Sequence, residues 1–76
     1  MNEAQCKMAR AGLGWSLDEL AQAAGVSRMT VVRFERGDTV QPESVEALRA
    51  AFVKEGIAFT NGGKRFGLSI LRREIN

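Results

Sequence analysis

The chain has 76 residues, 45% of them hydrophobic, with 11 basic and 9 acidic side chains and a formal charge of +2. That length holds one domain with a marginal core, so pairing of two copies is an expected source of further burial. One cysteine and no histidine exclude an internal disulfide and the usual transition-metal clusters, and fit a reducing, cytoplasmic setting.

Residues 2–12, followed by Leu13, place Cys6, Ala9 and Leu13 at spacings of three and four, which predicts a first helix with one apolar face. Gly12 and Gly14 are expected to break it. Ser16-Leu17-Asp18-Glu19 then reads as a capping box, with Trp15 just before the cap and Leu20 at the fourth helical position as a hydrophobic staple. This second helix runs through Ala21 and Ala24 and stops at Gly25, a residue suited to a left-handed cap. Ser27 offers the next N-cap only two residues later, and Val26 and Val31 repeat the staple spacing. A third helix is therefore expected from about Arg28 to near Gly37, and two capped helices joined by so short a turn form a helix-turn-helix.

Pro42 suits the first turn of a fourth helix, whose apolar stripe is Val45, Leu48, Ala51 and Phe52 and whose end is Gly56. Beyond it, Ile57-Ala58-Phe59 and Phe66-Gly67-Leu68-Ser69-Ile70 alternate around Asn61-Gly62-Gly63-Lys64, which predicts a hairpin. The second strand, about Arg65 to Leu71, is expected to outlast the first, leaving Leu68 to Leu71 as an unpaired edge open to a second copy. The competing expectations are that Leu68 and Ile70 fold back on Leu48 and Phe52, or that the last residues fray or turn helical.

At about 100° per residue, Val31 and Phe34 mark the buried side of the third helix, and Met29, Val32, Arg33 and Arg36 fall opposite. That outer side holds arginines and no acid. Arginine can pair with guanine O6 and N7, a methionine can touch a thymine methyl, and the helix N-terminus favours phosphate. Met29 and Val32 suit a protein surface as well. Asp18 and Glu19 are accounted for by capping and the helix dipole. Cys6 reads as a small core residue. Lys64, Arg65, Arg72 and Arg73 are either solvated charges or a tail that touches a phosphate backbone.

The run LDELAQAAGVSRMTVVRFERG closely resembles the phage-repressor and Cro-like helix-turn-helix family, often called XRE, with Ala21, Gly25, Val31 and Phe34 at the family's spacing. The resemblance covers residues 5 to 52, and the tail GIAFTNGGKRFGL also resembles that of a short bacterial subgroup. It implies a mainly α fold: a four-helix Cro/repressor-like domain over residues 1–56, ending in a C-terminal β-hairpin and dimerisation tail over residues 57–76. It further implies a transcriptional regulator that binds double-stranded DNA as a homodimer, with base contacts from Arg28, Met29 and Arg33. Backbone contacts would come from Ser27, Thr30 and Arg36, and Arg10 with Glu35 would form a structural ion pair. Leu17 departs from the family, many of whose members carry a phosphate-contacting Gln there.

A protein-binding use of the same fold, as an antitoxin or antiactivator, is the alternative. No P-loop, dinucleotide fingerprint or histidine base points to an enzyme, and no metal or cofactor is expected. No apolar run is long enough for a membrane span, and the first residues do not read as a signal peptide.

Overall fold

The computed structural model describes residues 1–60 and 67–70. Four helices, α1 (Glu3–Leu13), α2 (Leu17–Ala24), α3 (Arg28–Arg36) and α4 (Pro42–Lys54), precede strands β1 (Ile57–Thr60) and β2 (Gly67–Ile70).

Local chemistry sets each helix start. Asn2 caps α1: its Oδ1 accepts from the Gln5 amide at 2.8 Å, and its own amide donates to Gln5 Oε1 at 3.0 Å. Ser16 and Glu19 form the same reciprocal box on α2, at 3.1 and 2.7 Å. Ser27 Oγ accepts the Thr30 amide at 3.1 Å at the head of α3. Pro42 opens α4, where the N-cap Gln41 makes no side-chain capping bond.

Gly12 does not break α1, contrary to expectation. The helix runs on to Leu13, whose side chain packs against the core, and ends at Gly14 with φ of 70°. One mid-helix glycine costs only about 1 kcal/mol against alanine, so packing of the next residue outweighs it. Gly25, φ 73°, makes the turn between α2 and α3, and its amide returns to Ala21 O at 2.9 Å.

The core gathers residues from every helix and from β1. Cys6, Ala9, Leu20, Val31, Leu48 and Phe52 are fully buried, with Ala21, Phe34, Ala51 and Ile57 around them. Burying a side chain of Leu or Phe size contributes roughly 1.5–3 kcal/mol. Trp15 and Leu20 both join this core, but the Trp15 ring lies stacked on Phe52, 5.9 Å between centroids. Phe59 meets the same Phe52 edge-on at 5.9 Å, so β1 is packed to α4 through an aromatic pair.

The strands pair antiparallel, Ile57 opposite Ile70 and Thr60 opposite Gly67, and β2 runs beside α1. This register corrects the expected overhang. Leu68, Ser69 and Ile70 are each matched to a residue of β1, because Ile57, the first residue after the Gly56 turn, already pairs with Ile70. The Asn61–Lys64 turn, Leu71, Arg65, Arg72 and Arg73 lie outside the described residues, as do the side chains of Leu68 and Ile70.

Candidate nucleic-acid interface

α3 is held from behind. Its inner side sends Val31 and Phe34 into the core, and Glu35 is buried beside them. A carboxylate with so little solvent needs partners. Arg10 of α1 supplies them as a two-pronged pair, Nε to Oε2 at 2.8 Å and Nη2 to Oε1 at 2.9 Å. Arg10 Nη1 also donates to Trp15 O at 3.1 Å, so one guanidinium ties α1, the α1–α2 turn and α3 together. The Cys6 thiol donates to Glu35 Oε2 at 3.4 Å. Burial first, then the Glu35 charge and hydrogen bond, push that thiol well above its ordinary ionisation range. The hydrogen bond to Glu35 holds the Arg10 proton more firmly than usual. This network fixes the rotation of α3 about its axis and so decides which residues face outward.

The outward residues are Met29, which is 52% exposed, Arg33 and Arg36, with Arg28 beside them at the first helical position. Val32, expected on the same side, is half-buried. It follows the buried Val31 directly and is too short to clear the helix edge.

The arginines are not equivalent. Arg28 Nε lies 3.2 Å from Asp18 Oδ1 of α2, with both side chains open to solvent. Arg36 donates twice to Asp38 Oδ2, from Nη2 at 2.6 Å and from Nε at 3.1 Å, and this bond strengthens the hold of Arg36 on its proton. Arg33 has no carboxylate partner among the described residues. The Ser27 hydroxyl is shared between the Thr30 amide and the Thr30 hydroxyl, 2.9 Å away, so capping occupies both of these residues.

A cleft of about 530 Å³ opens beside Arg33, between α3 and the segment leading into α4, and Thr30, Thr39, Gln41 and Ser44 border it. Sequence reasoning missed Thr39, Gln41 and Ser44. The available signal was the polar residues around Pro42, but only the path of the segment from Thr39 to Ser44 sets them beside Arg33. Among the described residues, the outer side of α3 thus offers one guanidinium without a carboxylate partner, two carboxylate-bound ones, an exposed thioether and a rim of hydroxyl and amide groups. That set can read base edges and hold phosphate oxygens.

No group of acidic or cysteine side chains suited to a metal ion occurs among the described residues, and none of their helices is long and apolar enough to cross a membrane. A helix-turn-helix family model matches residues 7–52, from within α1 to within α4. No curated protein matches the chain.

Proposed function

The chain belongs to the XRE-type helix-turn-helix family, whose domain is a DNA-binding regulatory one, and on that premise we propose that it recognises double-stranded DNA sequence-specifically by laying α3 in the major groove. The observation that supports this most is Arg33: it is exposed, points away from Val31 and Phe34, and has no carboxylate partner among the described residues. In this reading Arg28, Met29 and Arg33 read bases. Ser27, Thr30 and Arg36 hold the backbone, joined by Thr39, Gln41 and Ser44 along the cleft. The hydroxyls of Ser27 and Thr30 retain acceptor and donor capacity while capping, so their contacts add to the cap.

Residues 1–56 carry the DNA-facing part, and residues 57–76 are a tail of the same domain. Ile57 and Phe59 support that division, since both pack on the core formed by the helices. Two copies act together in this proposal, because one short helix makes too few contacts for tight binding and paired half-sites roughly 10 base pairs apart double them. Light scattering on the whole chain tests the pairing.

A gel shift against a genomic fragment pool, titrated with salt, tests DNA binding, and selection from random duplexes gives the site. Binding that weakens with salt and selects one sequence is expected. A use of this face on a protein partner draws on exposed Met29 and on the prior pairing of Arg28 and Arg36. It becomes the better reading if no fragment shifts at low salt.

A further inference from the structure

Asp38 is unexplained by the fold. It stands just past Gly37, at the C-terminal end of α3, where the helix dipole disfavours a negative charge. Its backbone has a clear structural role, because the Asp38 amide donates to Arg33 O at 3.0 Å and closes the last turn. Any residue with an N–H fills that role, so it does not call for a carboxylate. The same bond, with the left-handed Gly37, turns the chain back and sets the Asp38 side chain against Arg36.

We infer that Asp38 is an internal competitor for Arg36, occupying the guanidinium that would otherwise grip a DNA phosphate and thereby lowering affinity for DNA of any sequence. This rests on the DNA-binding reading above. Two donors of Arg36 converge on one oxygen of Asp38, so a phosphate must displace a bound carboxylate rather than water. Both side chains are exposed, 61% and 45%, so the pair is weak enough to exchange. Sequence-independent binding is supplied by phosphate contacts, so the loss of one such contact falls on it in full. Arg33, with no such partner among the described residues, keeps its full reach.

The test is a double-mutant cycle on a random-sequence duplex, read by fluorescence anisotropy across a salt series. The proteins are wild type, Asp38→Asn, Arg36→Gln and the double variant. Glu55→Gln makes the same charge change at the C-terminal cap of α4, a helix of 13 residues and so about 20 Å long. Asparagine keeps the backbone bond and the size of Asp38. Asp38→Asn is expected to tighten binding about two- to fivefold, the range of an exposed pair. It should also steepen the salt slope by about 0.9, one further phosphate neutralised. In the Arg36→Gln background the gain should shrink to that of Glu55→Gln. An equal gain in both backgrounds would overturn the inference while leaving DNA binding intact, since Asp38 would then act on the DNA directly. Failure of all five proteins to bind would overturn the inference together with the DNA-binding reading. Matching thermal melts for the five show that fold stability is not the cause.

Discussion

Removing Arg10 should damage the domain more than removing its partner Glu35. The Glu35 side chain is 7% exposed and that of Arg10 is 25% exposed. In Arg10→Met the carboxylate stays buried with the Cys6 thiol, 3.4 Å away, as its remaining side-chain donor among the described residues. Stripping one partner from a buried pair costs about 3–5 kcal/mol, and the residual thiol bond places this case near 3 kcal/mol. In Glu35→Leu the guanidinium keeps its bond to Trp15 O and can swing toward solvent, so the cost is about 1–2 kcal/mol. The double variant loses both charges together and should fall short of the summed costs by about 1–2 kcal/mol. A domain of this length has a total stability of about 4–11 kcal/mol, so Arg10→Met lowers the melting temperature by about 12–25 °C. Thermal unfolding followed by circular dichroism on the four proteins measures the cycle. Additive single effects, or a larger loss from Glu35→Leu than from Arg10→Met, would refute the reasoning.

Arg33→Ala should cost about 1–3 kcal/mol at the selected DNA site and relax selectivity at one base pair; an equal loss on every duplex would demote Arg33 to a phosphate contact. Cys6 supplies a pH dependence. Its folded ionisation lies far above its unfolded value near 8.5, so the unfolded chain loses the proton first, and stability falls above about pH 8.5 by up to about 1.4 kcal/mol per unit. Below that pH the thiol is protonated in both states and contributes no slope. Urea melts at about pH 7.5 and 10 should show this extra loss in wild type and not in Cys6→Ala, and parallel losses would contradict it. Gly25→Ala meets no atom within 4 Å of its new Cβ, so only the left-handed backbone, φ 73°, opposes it, at about 1–2 kcal/mol in a thermal melt. A loss of about 4 kcal/mol or more would mean that the α2–α3 turn is crowded after all.

Sequence alone determined the elements governed by near neighbours. Capping boxes, the Gly25 turn and the period of Val31 and Phe34 depend on residues within about four positions of one another, and these locate α2, α3 and the outer side of α3. The Asn2–Gln5 box at the head of α1 is equally local, whereas Gly12 does not end α1 because Leu13 beyond it packs against the core. The Arg10–Glu35 pair, spanning 25 positions, entered only through family resemblance. Arg36 and Asp38 are two apart and would face different sides of a continuing helix; the left-handed bend at Gly37, also a local feature, brings them together. Tertiary structure decided the rest. Arg28 reaches Asp18 because α2 packs against α3, and Arg33 gains a cleft because the segment from Thr39 to Ser44 lies beside it. Strand register was likewise beyond reach, since alternation marks faces but does not fix which residue stands opposite Ile57. A charge pattern on one helix therefore tells which side faces out, whereas the charge available to a ligand depends on what the neighbouring helices and turns bring within about 3 Å.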